Sequence, residues 1–198
     1  NFGLIEGLRQ VRGHNEYLEL VHRLDRETSG LILLAKTPAT LKHLHLLFRE
    51  FKVKKKYIAL VKGKWPRATM RVEAPIKKNV DQFGERKSIV CNAGKPAITD
   101  FRVLRRYANC TLVEATPMTG RTHQIRVHSQ HIGNPIVGDE RYTLNKYPPD
   151  SNYQGYLRLF LHSHHISFTM DDGTFLEFTS ELDHSLNRLL KLYTSVDL

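Results

Sequence analysis

Two pairs of apolar-rich runs, each folded back at a turn signal, constrain this chain more than any other feature. Residues 97–105 and 111–116 flank a turn at 107–110, and residues 159–170 and 174–179 flank Asp171, Asp172 and Gly173. Runs of that length joined by a few turn-forming residues read as antiparallel hairpins. Residues 57–61, closed by Gly63, read as a buried strand, and residues 31–36 (LILLAK) as a strand covered on both faces. Short strands are expected near 71–74 and 88–91, inside an irregular, charged stretch from 64 to 96. Helices are few. Pro38 ends the 31–36 run, and Leu41, Leu44, Leu47, Phe48 and Phe51 then form a helical stripe over 39–51. A second helix is expected from 122 to 132, stopped by Gly133 and Asn134-Pro135, and a third from 183 to about 193, carrying Leu186, Leu189 and Leu190. Residues 143–156 read as a surface loop. The expected class is α+β, with a mixed, mostly antiparallel sheet.

At 198 residues the chain suffices for one large domain or two small lobes sharing a core. A hydrophobic content of 40% excludes a disordered chain. Thirty Lys and Arg against 20 Asp and Glu give a net charge of +10, which attracts polyanions. Nucleic acid is the favoured partner, ahead of an anionic membrane or an acidic protein. No apolar stretch approaches a membrane span, and no signal peptide is visible. Cys91 and Cys110 are too few for a disulfide framework or a zinc knuckle. They read as reduced thiols in a cytosolic protein, with one bridge between them as the alternative. The histidines at 123, 128 and 131 and at 162, 164 and 165 lack a zincin-type spacing with an intervening Glu, so no metal is expected. The chain opens at Asn1 without an initiator Met, and is expected to be part of a longer protein.

Three segments carry chemistry. HRLDRETSG, residues 22–30, sets Asp25 between Arg23 and Arg26. Nearby positive charge favours an ionised carboxylate, fit to be a nucleophile or a salt-bridged anchor. KKKYIALVKG, residues 54–63, leads a basic run into Tyr57. A tyrosine there offers a flat stacking face and a hydroxyl that can exchange a proton. Lys54, Lys55 and Lys56, with Arg49 and Lys52, read as a phosphate-binding run, or else as a solvated face. GRTHQIRVHSQHIGNPIVGDERY, residues 120–142, puts Arg126 on the predicted helix, near Thr122, Ile125 and Ser129. Its permanent planar charge suits a carboxylate or a phosphate.

HRLDRETSG, YIALVKG and GRTHQIRVH resemble, in order and spacing, the signatures of the RluA-type pseudouridine synthases, and the resemblance spans nearly the whole chain. The text between them, such as KPAITDFRVLRRY, is most similar to members that modify large-subunit (23S) ribosomal RNA. The resemblance implies the pseudouridine synthase fold, two lobes with a central active-site cleft. It implies Asp25 as the catalytic carboxylate, Tyr57 as the residue against the uracil and Arg126 as the partner of Asp25. Arg23 would occupy the space left by an extruded target base. Arg26, Lys54, Lys55, Lys56, Arg121 and His123 would join it in contacting RNA. The whole chain would be one catalytic domain, with an S4-like RNA-binding domain upstream. No metal or organic cofactor is implied, and the expected state is a cytoplasmic monomer. The reaction breaks the bond between N1 of uracil and C1′, turns the ring and joins C5 to C1′. Whether the carboxylate attacks C6, attacks C1′ or removes a sugar proton toward a glycal stays open. The alternatives are a synthase acting on tRNA or another RNA, and a non-catalytic RNA-binding or ribosome-assembly protein.

Overall fold

The computed structural model describes residues 3–12, 16–80, 86–143 and 158–193. In chain order the elements are α1 (Leu4–Arg12), β1 (Glu19–Leu20), β2 (Ser29–Gly30), β3 (Leu34–Ala35), α2 (Pro38–Arg49), β4 (Lys54–Lys62), β5 (Thr69–Glu73), β6 (Ile76–Val80), β7 (Arg86–Val90), β8 (Ile98–Arg106), β9 (Cys110–Pro117), α3 (Gln124–His131), β10 (Leu161–Thr169), β11 (Phe175–Thr179) and α4 (His184–Leu190). A seven-stranded sheet in the order β11-β10-β4-β9-β8-β5 carries the fold, with β2 pairing β10 in parallel. Its other pairings are antiparallel. Both predicted hairpins are present, as β8–β9 and β10–β11.

Two departures from the sequence reading matter for the site. The run at 31–36 is not one buried strand. β2 ends at Gly30 on the large sheet, while β3 pairs with β1 in a separate two-stranded sheet, and Leu31 and Leu33 between them are only half-buried. The apolar run bridges two packing surfaces, which is why it lacks the alternation of a strand with one wet face. The stretch 64–96 is also less irregular than expected, because β6 and β7 pair antiparallel as a ribbon of their own. β6 carries Lys77, Lys78 and Asn79, so hydrophobic alternation does not reveal it. The loop expected at 143–156 lies outside the described residues except for Thr143. α1 was not foreseen. None of its residues is buried, and Arg9 ties it down by donating to the Leu18 carbonyl at 2.7 Å and to Glu19 at 2.6 Å.

The helices begin and end for local reasons. Thr37 caps α2 by accepting the Thr40 N–H, and Pro38 occupies the first turn, where its missing donor is harmless. Asp183 caps α4 through the N–H groups of Ser185 and Leu186. Leu44 and Leu47 of α2 bury against Val21, Ala35, Val53, Ile166 and Phe168, forming one core beside β10 and β11. A second, larger core lies on β4, β8 and β9, where Trp65, Phe101, Ile125, Leu186 and Leu189 converge. A third, small cluster joins Ile76 of the ribbon and Ala97 to Val127 of α3 and Tyr142. Among the described residues, no helix is long and apolar enough to cross a membrane.

Candidate active site

A cleft of about 830 Å³ opens between the HRLD loop and α2 on one side and the β6–β7 ribbon and the start of α3 on the other, with β4 at its back. Asp25, Tyr57 and Arg126 all line it, although they lie far apart in sequence. Strand register explains the convergence. Ser163 of β10 pairs with Gly30 on one edge and Tyr57 on the other. The HRLD loop and the tyrosine are therefore held one strand either side of the same residue. Gly30 is required for this approach: its φ is +102°, and a Cβ there would fall 2.2 Å from the Ser163 carbonyl oxygen.

Asp25 sits at the turn closed by the Thr28 N–H to Asp25 carbonyl bond. Its side chain is 23% exposed, and its two oxygens face different partners. Oδ2 lies 3.5 Å from Arg126 Nη1, and Oδ1 lies 3.7 Å from His123 Nε2. The positive charge beside the carboxylate thus comes from α3. Arg23 and Arg26, its neighbours in sequence, have no ion-pair partner among the described residues. Arg23 lines the cleft and Arg26 does not.

Arg126 is almost wholly buried and is aimed by residues that sequence reasoning left unassigned. Asp139 receives its Nε at 2.7 Å and its Nη2 at 2.8 Å, a planar bidentate pair. Asp139 is itself fixed by accepting the N–H groups of Arg141 and Tyr142. The Tyr142 ring lies 5.1 Å from the guanidinium centre. Burial works against the charge on Arg126, and Asp139, followed by Asp25, more than offsets this, so its pKa is raised. Both missed residues stand in GDERY at the end of the third segment. The available signal was the need of a buried arginine for a carboxylate within reach.

Gln124 and His128 of GRTHQIRVH hold the fold together. The Gln124 amide donates to the Ile98 carbonyl and the Thr99 hydroxyl, and its oxygen accepts from the Thr119 hydroxyl and the Arg121 N–H. His128 Nε2 donates to the Ala74 carbonyl at 3.0 Å, so Nδ1 accepts from Thr99. Burial lowers its pKa and keeps that neutral form. His123 is different: it takes a left-handed conformation (φ 55°, ψ 23°) and turns its ring toward Asp25 instead of capping α3. Strain of this kind concentrates at functional sites.

Tyr57 has its hydroxyl pKa pushed up to about 12. Burial is the main cause, the Ser163 hydroxyl works the other way, and the negative charge of Asp25 adds to the rise. The phenol therefore favours its protonated form in this cleft. The lysine run divides by strand alternation. Lys55 faces the cleft beside Tyr57, its Nζ 5.4 Å from the Phe48 ring centre, and burial lowers its pKa. Lys54 and Lys56 point to the opposite face, where Lys56 pairs with Glu114 at 3.5 Å. Arg121 lines the cleft while its Nε donates to the Pro96 carbonyl. Lys78 and Lys87 of the ribbon and Arg141 add positive charge that sequence reasoning had not placed there. Among the described lining residues Asp25 is the only carboxylate.

The sequence pattern of the RNA pseudouridylate synthase family matches residues 7–131. The chain is 45% identical over 192 residues to the ribosomal large subunit pseudouridine synthase C of Haemophilus influenzae, which covers 96% of this chain and 60% of that protein. It is 45% identical over 194 residues to the protein of the same name from Escherichia coli, covering 96% and 61%. The chain thus spans about 60% of the length of these relatives. Among solved structures it is similar to human RNA pseudouridylate synthase domain containing 1 (TM-score 0.80, 27% identity, 98% of this chain and 79% of that one) and to domain containing 4 (TM-score 0.75, 25% identity, 92% and 78%). The family match takes in the HRLD loop, β4 and all of α3, the same three pieces that the fold brings to one cleft. This chain belongs to the RNA pseudouridylate synthase family.

Proposed function

We propose that residues 1–198 form the catalytic domain of an enzyme that isomerises specific uridines of large-subunit ribosomal RNA to pseudouridine. One observation carries the reading: Asp25, the one carboxylate among the described lining residues, stands in a cationic cleft with Arg126 and Tyr57. The names of the similar bacterial proteins support the choice of RNA.

In this reading the phosphate backbone settles on the cations of the cleft, and Arg23 fills the gap left when the target uridine swings out of its stack. Asp25 meets the nucleotide at the base–sugar junction, and every route to the product needs a carboxylate there. Arg126 balances its changing charge as the N1–C1′ bond breaks. Tyr57 supports the free uracil by stacking while it turns to present C5. When C5 joins C1′, the C5 proton leaves and N1 gains one. We read the protein as a cytoplasmic monomer.

The test is tritium release from large-subunit ribosomal RNA made with 5-tritiated uridine, since forming the C5–C1′ bond must expel the label. Release by the parent, lost in Asp25→Asn with RNA binding retained, is the expected result. Activity surviving in Asp25→Asn would remove the carboxylate from its role. Release from tRNA alone would move the substrate, and none from either RNA would favour a non-catalytic RNA-binding protein.

A further inference from the structure

His123 stands against the carboxylate, yet the chemistry above makes no use of it. Its Nε2 is 3.7 Å from Asp25 Oδ1, while Arg126 faces Oδ2, so the two donors address separate oxygens. Its Nδ1 is 2.8 Å from the hydroxyl of Tyr142, a fully buried side chain. That hydroxyl also accepts the backbone N–H of Ser88 on β7, at 2.9 Å.

These contacts bear on where the protons lie. The Ser88 N–H can only donate, so it fills one acceptor site on the phenol oxygen. The phenol proton then needs an acceptor: Nδ1 of a neutral imidazole stands at 2.8 Å, and the Ser88 hydroxyl, which also interacts with this phenol, is the competing one. With Nδ1 accepting, the imidazole proton is on Nε2 and points at Asp25. A protonated ring would donate from Nδ1 instead and leave the phenol proton to the Ser88 hydroxyl, giving up the 2.8 Å bond in its present direction. The opposite neutral tautomer would turn a lone pair toward the carboxylate.

We propose that His123 is a positioning residue for Asp25: a neutral imidazole that directs Nε2–H at Oδ1, held in that form by Tyr142 and, through it, by Ser88. The inference rests on Asp25 being the reacting group. Its consequence is chemical. Arg126 supplies one full positive charge, and a second cation at Oδ1 would hold the carboxylate too firmly for it to react. A neutral donor orients the group without that penalty, and the 3.7 Å separation is the reach over which it acts.

The charges around His123 are mixed. Asp25 and Asp139 favour protonation, whereas Arg126, Arg141 and burial oppose it, burial most strongly, and its pKa is lowered. Lys87 lies on the far side of the relay, 5.2 Å from the centre of the Tyr142 ring. His123, whose ring meets both Tyr142 and Asp25, has a left-handed backbone.

The experiment is a ¹⁵N spectrum of the histidine-labelled chain, with His123 assigned by its loss in His123→Gln. At pH 7 His123 should be neutral with the proton on Nε2, and Tyr142→Phe should erase that tautomer preference. A cation, an Nδ1–H tautomer, or an unchanged balance in Tyr142→Phe would overturn the relay, whatever the activity. In tritium release, His123→Ala should lower kcat about ten- to a hundredfold, the worth of a hydrogen bond to a charged group, with KM within about twofold. His123→Gln, whose amide can donate from a similar position, should recover most of that loss. A change confined to KM would make His123 an RNA contact. A Gln variant that folds yet recovers nothing would also overturn the proposal. No release by the parent would overturn the functional reading, while the spectrum would still decide the relay.

Discussion

Arg126 is immobilised on one edge of its guanidinium so that the other edge can act. Nε and Nη2 are taken by Asp139, leaving Nη1 toward Asp25. The pair lies where removing one partner leaves a buried charge uncompensated, at a cost of about 3–5 kcal/mol. Asp25 and Glu27, at 3.5 and 3.9 Å, soften that loss. Asp139→Ala should therefore destabilise the fold by about 3 kcal/mol, read as a lower urea midpoint, and should also lower kcat. Arg126→Ala should reduce kcat far more than KM, as loss of a contact that matters chiefly in the transition state requires. An effect on KM alone would make Arg126 a phosphate anchor.

At the scale of elements, the HRLD loop is held at both ends by contacts that the motif letters encode. Gly30 at its end allows β2 to lie against Ser163. Gly30→Ala should cost more than about 2 kcal/mol, because both the positive φ and the approach to a carbonyl must yield. A urea midpoint within error of the parent would show that the strands can part without loss. At the loop's start His22 Nε2 accepts the Leu33 N–H at 3.0 Å and stacks on Phe48. Its pKa is lowered from 6.5 to about 4, by burial first and by the charge on Lys55 second, against a hydrogen bond with the Arg23 backbone. Between those two values the unfolded chain takes up a proton that the folded chain refuses, so stability falls as pH drops from 6.5 to 4. The loss from this residue should reach roughly 3 kcal/mol, and His22→Gln should flatten that part of the stability–pH curve. Parallel curves for the two proteins would disprove the link.

For the whole molecule, a net charge of +10 tells less than where the charge faces. Lys55, Lys78, Lys87, Arg23, Arg121 and Arg141 all line one cleft. Lys54 and Lys56 alternate onto the other face of β4, where Lys56 meets Glu114, itself paired with Arg102. Lys55→Glu should weaken RNA binding and lower the slope of log affinity against log salt by roughly one, the share of one phosphate contact. Lys54→Glu should leave that slope nearly unchanged. Equal effects from the two would restore the run to a single binding face.

The sequence by itself determined the local pieces: both hairpins, the capped helices, the basic field, and the three segments bearing Asp25, Tyr57 and Arg126. Each follows from periodicity, turn chemistry or residue type within a short window, or from a family signature. Tertiary structure alone decided which side chains share the cleft. Arg23 and Arg26 flank Asp25 in the chain, yet its facing charge comes from α3, because the pairings of Ser163 and the packing of α3 outweigh sequence proximity. Asp139, Tyr142 and the turned ring of His123 were likewise illegible, since a buried hydrogen bond depends on where the backbone brings two distant groups. The same holds for LILLAK and the lysine run. Composition says that a residue is apolar or charged, and only the fold assigns it a face.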